Sequence, residues 1–503
     1  MKNLLEIIKI VTKKRVKKIE IFDDQALKNK TGKFNEFYEA LSAGRLRNDR
    51  DAATLLYNCS PQDPKYRQLK SRFRKRLLNT IFFLDINKPS SGTYNRAYFN
   101  CNKEWAMVKI LLHYGAVQTA TSMARHILTT AQKYHFSDLI VNCCRILRQH
   151  AADTGEDKDF QHYNKTIKEF EPILKAELES EELYQSVVLD YRKPLTSKNP
   201  IKGEIASISD QLITLSERYN SPVIFYNLYL VWAIRYELAK DFDTMLEVCN
   251  QAEQYMDDNP NFYQEEKLIA IQNKKMSAYL HKQEYRKGKV NAEKCLNRFP
   301  DGSQPWFNFM EFYLLLALHT ENYINALAII NQATAHSGLK KLDQPIREKW
   351  AIYAGYVGFF ASIQGFGAAL QIRSSSRIFR PSKYFALPET YPKSHRNYAI
   401  LLLILEVLEL ANKKSTLDLD DRLEKLKQFA LRQLNKEEHF RAIQFIRLLQ
   451  QLKKAEYELD QIKNTEKYLT ALQEQPFFYR GAISELEIIP YEKLWEIVLQ
   501  QFK

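Results

Sequence analysis

Along the whole chain, apolar residues recur at spacings of three and four between turn signals, and sustained alternation is missing, so the pattern predicts helix nearly throughout and no strand. The periodicity places helices at about 3–20, 32–43, 49–57, 64–84, 103–114, 117–134, 137–152 and 158–191. It continues with 202–218, 222–239, 241–256, 261–281, 284–298, 304–319, 322–336 and 344–364, then 393–412, 417–433, 437–454, 460–473 and 491–501. The connections are short, which sets successive helices antiparallel. With 503 residues the chain is too long for one compact core, and only 14 glycines and 16 prolines interrupt it, which favours long helices in an extended array.

A pattern recurs inside the helices. KDFDTMLEVCNQA, QEYRKGKVNAEKC, ENYINALAIINQA and QGFGAALQI each carry an aromatic residue with a small or apolar residue three positions on. The aromatics are Phe242, Tyr285, Tyr323 and Phe366, spaced by 43, 38 and 43 residues. Seven and ten positions later the first three units again carry small or apolar residues: Cys249 and Ala252, Ala292 and Cys295, Ile330 and Ala333. One side of each of these helices can therefore lie close against a neighbour. Over about residues 222–372 this resembles the second helix of tetratricopeptide (TPR) repeats, with Pro260 and Pro300 closing two units as that family's trailing proline does. The period near 40 rather than 34 and the poorly represented first-helix glycine depart from the family, so the resemblance implies an irregular, TPR-like α-solenoid of antiparallel helix pairs. The four aromatics are expected at equivalent buried positions.

The expected organisation is a basic helical region at 1–100, the repeat array at 101–372, a loop at 373–392 marked by Pro381, Pro388 and Pro392, and a C-terminal helical region at 393–503. Pro490 can start a last helix whose Leu494, Trp495, Val498 and Leu499 cap the array. The opening stretch and IIPYEKLWEIVLQQF also resemble bacterial proteins of similar size, a likeness that implies no functional residue. WAIYAGYVGFFASIQGFGAALQI, residues 350–372, has no charge over 23 positions, but its four glycines, two glutamines and a serine fit a buried helix pair better than a membrane span. Six cysteines without CxxC spacing suit small core positions in a reducing compartment, and the N-terminus lacks a secretion-signal pattern. A cytoplasmic protein is expected, with stable membrane insertion disfavoured.

Charge is uneven. Positions 1–100 hold 22 basic and 10 acidic residues, which supplies most of the formal +14. The densest run is KYRQLKSRFRKRLLNTIFFLD, residues 65–85. On a helical wheel Tyr66, Leu69, Phe73, Leu77 and Ile81 form one stripe, and Lys65, Arg67, Lys70, Arg72, Arg74, Lys75 and Arg76 occupy the rest. Two readings follow: a core helix with solvated basic side chains, or a surface for phosphate or an acidic partner, reinforced by Lys13, Lys14, Arg15, Lys17, Lys18, Arg45, Arg47 and Arg50. Residues 49–57, a turn, and the basic helix form a loose helix-turn-helix. In a third reading, Leu4, Leu5, Ile7, Ile8 and Val11 of the first helix attach the chain to an anionic membrane surface.

Catalytic signatures are missing: the sequence has no HExxH, GxSxG, phosphate-binding loop or zinc-spaced His/Cys pair, and no cofactor motif. Adjacent Cys143 and Cys144 point about 100° apart on a helix, awkward for joint ligation. The expectation is a non-enzymatic scaffold binding a protein or peptide in a helical-repeat groove. The alternative is a nucleic-acid-binding regulator that uses the basic region, with the array as sensor.

Overall fold

The computed structural model describes residues 4–5, 7–8, 32–46, 48–81, 92–194, 201–363, 379–389, 391 and 396–502. Among these residues the chain is all-helical, without a strand, and no helix is long and apolar enough to cross a membrane. Arg47, Phe366, Val11 and the basic residues at 13–18 lie outside the described residues, as does most of the expected loop. Two compact units divide at 164/165. This division differs from the sequence-based boundaries: position 100 falls within a helix, and residues beyond 393 share one core with the array from Met276 onward.

The first unit opens with α1 (Lys33–Ser42), α2 (Asp49–Tyr57) and α3 (Pro64–Ile81). Asn48 starts α2 by accepting the Asp51 N–H at 2.9 Å, and Asn58 ends it in the left-handed region. Phe37, Leu41, Ala52, Ala53, Leu56, Tyr66, Leu69, Phe73 and Leu77 make one core, joined by Leu4 and Ile8. Two apolar residues of the proposed membrane helix are therefore already buried in protein. The unit continues through α4 (Thr93–His113), α5 (Val117–Tyr134) and α6 (Ser137–Thr154) into α7 (Asp157–Tyr191). Helix α4 starts ten residues earlier than the periodicity indicates.

The second unit holds the later part of α7 and then α8 (Ile201–Arg218), α9 (Pro222–Ala239), α10 (Phe242–Asp258), α11 (Glu265–Lys282), α12 (Tyr285–Leu296), α13 (Gln304–His319), α14 (Tyr323–Ala335) and α15 (Gln344–Ile363). After these come α16 (Pro381–Tyr384), α17 (Arg396–Asn412), α18 (Thr416–Gln433), α19 (Phe440–Lys454), α20 (Glu466–Glu474) and α21 (Tyr491–Gln501). Consecutive helices from α8 to α15 pack on one another, and α9, α11 and α13 also pack side by side. The apolar stretch from Trp350 is the buried part of α15, and its continuation past Ile363 is outside the described residues. Phe379 and Tyr384, from the expected loop, also enter the core.

One turn recurs. At Lys240, Gln283, Glu321 and Lys414 of the second unit, and at Gly115, His135 and Gly155 of the first, a residue with positive φ precedes the next helix by two positions. The N–H that follows it reaches back five residues, as Asp241 to the Tyr236 carbonyl at 2.9 Å and Asn322 to the Ala317 carbonyl at 2.8 Å. At the four second-unit turns this left-handed position holds Lys, Gln or Glu, at a cost of about 1 kcal/mol each relative to glycine.

Phe242, Tyr285 and Tyr323 each take the first position of the second helix of a pair, so their placement is equivalent, but each is half-buried rather than buried. Phe242 stacks on His281 with centroids 4.7 Å apart, and Tyr323 on Phe360 at 5.2 Å, in each case on the first helix of the next pair. Downstream, Met245, Cys249 and Ala252, then Gly288, Ala292 and Cys295, then Ala326, Ile330 and Ala333 are all buried. A Cβ on Gly288 would lie 2.3 Å from Leu316 Cδ2, which shows how closely α12 approaches α13.

Candidate functional site

Helix α3 is set in place by its ends and its core stripe. Asp63 accepts the Lys65 N–H at 2.8 Å and Pro64 occupies the first turn, where no N–H is needed. Phe73 meets Phe37 at 4.7 Å, and the Tyr66 hydroxyl donates to Asp49 at 2.6 Å. Lys70 binds the same Asp49 carboxylate. Burial pushes that carboxyl up, but the hydrogen bonds from Lys70 and Tyr66 outweigh it and hold it at about 2. Arg76 lies over the Phe34 ring at 5.0 Å.

Two of the seven basic candidates, Lys70 and Arg76, are thus engaged within the unit. The other five, Lys65, Arg67, Arg72, Arg74 and Lys75, are exposed, with Gln68 and Ser71 exposed between them. None of the five forms an ion pair among the described residues. Arg45 and Arg50 of the same unit are exposed too.

Helix α4 presents a second surface. Cys101 and Val108 face the core, while Phe99, Met107, Ile110 and Tyr114 stay 37 %, 40 %, 57 % and 80 % exposed. At 100° per residue these four fall within about 80° of the helix circumference. With Arg96 and Lys103 in the same sector, they form a largely apolar stripe on the side away from the core, continued by Val117 at the start of α5.

In the second unit, α11 and α13 already carry the chain's own residues 476–490, an irregular strap between α20 and α21. Tyr479 is the anchor: its N–H donates to His281 Nε2 at 3.0 Å and its hydroxyl to Glu311 at 2.6 Å. Glu311 also holds Lys349 and the Tyr353 hydroxyl. His319 Nε2 donates to the Glu487 carbonyl at 2.8 Å, and Phe477 lies against the rings of both histidines. Arg480 pairs with Glu485 and donates to the Tyr191 carbonyl. Arg441 pairs with Glu487 and Glu492 and caps the Leu472 and Gln475 carbonyls. The strap thus covers His281 of α11 and Glu311 and His319 of α13.

His319 is buried and His281 half-buried, and both are held without charge. His281 accepts at Nε2, so its Nδ1–H donates to the Ser277 carbonyl at 2.7 Å. Burial lowers it, and burial lowers His319 to about 4, the hydrogen bond to Glu487 offsetting this only in part. Below the ordinary 6.5 the unfolded chain takes up protons that the folded imidazoles refuse. The stability in question is therefore present above pH 6.5 and lost as pH falls towards about 4, on the order of 3 kcal/mol for His319. The melting temperature should drop across this window, and His319→Gln should flatten the drop. An unchanged slope in that variant would place the acid sensitivity elsewhere.

Among the described residues no three His, Cys, Asp or Glu side chains are grouped to hold a metal. Burial raises the thiols of Cys143 and Cys249 to about 12, which keeps them protonated, and Cys59 is half-buried. A cleft of about 270 Å³ beside the strap, walled by Lys240, Glu438, His439, Arg441 and Phe478, has its strongest cation, Arg441, tied to two carboxylates. Comparison with family models, curated proteins and solved structures found no match. Neither the strap nor the α4 stripe emerges from sequence reasoning. PFFYRGAISELEII has no helical period to mark it, and α4 carries apolar residues on two faces, which leaves no single stripe to read.

Proposed function

We propose that this protein is a non-enzymatic, cytoplasmic interaction scaffold, built on a TPR-like series of helix pairs, that captures a protein partner. The recurrent turn, the stacked aromatics and the small buried residues of α10, α12 and α14 support the TPR-like reading. The observation that carries partner capture is the apolar stripe of α4, because a solvated helix that turns Phe99, Met107, Ile110 and Tyr114 outward needs a covering surface. The strap favours this stripe over a groove lined by α11 and α13, since both helices are already engaged with it. Ile110→Glu and Tyr114→Glu change exposed side chains, so each should leave the melting temperature within about 1 °C yet abolish retention of the partner. A partner retained undiminished by both variants would remove the stripe from the proposal.

A second reading is favoured by the five exposed basic side chains of α3: the first unit binds an anionic polymer, with the array as the partner-sensing body.

A further inference from the structure

We propose that α3 is a major-groove helix for double-stranded DNA, with Gln68, Ser71 and Lys75 towards the base edges and Lys65, Arg67, Arg72 and Arg74 towards the phosphates. The inference rests on the anionic-polymer reading of the first unit and names its ligand. Its basis is the angular arrangement around a helix whose roll is fixed. Tyr66, Leu69, Phe73 and Leu77 are buried, and Tyr66 is tied to Asp49. At 100° per residue, Gln68, Ser71 and Lys75 then lie opposite the core. Arg67 and Arg74 stand roughly a quarter-turn to one side of that stripe, and Lys65 and Arg72 about as far to the other.

A polar stripe with cations on both flanks matches a channel that has two charged walls and a hydrogen-bonding floor. The major groove of B-DNA, about 12 Å wide, admits a helix between two phosphate ridges and presents donors and acceptors at its base. Other polyanions fit less well. The major groove of duplex RNA is too deep and narrow for side chains to read. Single strands are held on aromatic platforms, and the outward face of α3 carries Gln, Ser, Lys and Arg but no aromatic ring. An acidic peptide would meet one flank at a time. The order α2, turn 58–63, α3 is that of a helix-turn-helix, with Asn58 in the left-handed region opening a turn longer than the usual three or four residues.

The test is fluorescence anisotropy of the full chain with labelled random-sequence duplex DNA, duplex RNA, single-stranded DNA and poly-glutamate, at 50 and 150 mM KCl. Duplex DNA should bind tightest, and four phosphate contacts would weaken it about fiftyfold between the two salts, at a slope of about −0.9 per contact. The variant R67Q/R72Q/R74Q/K75Q should lose at least tenfold in affinity and most of the slope. Its melting temperature should not change, because all four side chains are exposed. Replacing exposed Lys340, Lys341, Lys413 and Lys414 of the second unit by Gln should leave binding intact. Gln68→Ala should keep the salt slope but change the sequences recovered from a random duplex library. Equal or tighter binding of RNA, single strands or poly-glutamate, or an equal loss in the second-unit variant, would overturn the groove assignment while leaving an anionic partner standing. No binding of any polyanion at 50 mM KCl would remove both.

Discussion

The chain without residues 491–503 is expected to aggregate and to lose cooperative unfolding. Helix α21 buries Tyr491, Leu494, Trp495, Ile497 and Val498, and Tyr491 stacks on Phe445 with centroids 4.9 Å apart. Full burial of each such side chain stabilises by about 1.5–3 kcal/mol, so the five together contribute on the order of 10 kcal/mol, comparable to the whole stability of a typical domain. Removing the helix would also expose the apolar face of α19, which includes Phe445 and Leu448. Size-exclusion chromatography and thermal melting read the outcome. A monomer with unchanged melting temperature would show the terminal helix to be dispensable.

Arg441→Ala should cost about 3–5 kcal/mol, the range for stripping one partner from a buried ion pair. The guanidinium is 12 % exposed and Glu487 is 5 % exposed, so alanine would leave a carboxylate in the interior. Burial already raises Glu487 above the usual carboxylate range despite Arg441, which shows how little solvation it retains. The Leu472 and Gln475 carbonyls would lose their donor as well. The double variant R441M/E487M should recover much of the loss, because no unpaired charge remains. Urea denaturation measures both variants, and a single-variant loss below about 1 kcal/mol would mean that water reaches this cluster.

Helical periodicity was legible almost everywhere because each helix turns one stripe to a core. Boundaries such as 49–57, 117–134, 222–239 and 304–319 coincide with α2, α5, α9 and α13. The apolar stripe of the basic helix was equally plain: Tyr66, Leu69, Phe73 and Leu77 are buried. What the sequence hid is pairing across long separations. Lys70 looks like its basic neighbours until Asp49 is seen beside it, and Tyr479 gives no sign of reaching Glu311, 168 residues away. The strap lacks a repeat because single side chains and backbone groups, such as Tyr479, Arg480 and the Glu487 carbonyl, each bond a different distant partner. The α4 stripe was missed because a helix apolar on two faces has no clear moment to read.

Affinity capture with the full chain from the cells that make it, with and without nuclease, measures partner binding most directly. A scaffold should retain a protein in both arms, together with nucleic acid only in the untreated arm. Recovery of no protein once nuclease has acted would contradict the scaffold role.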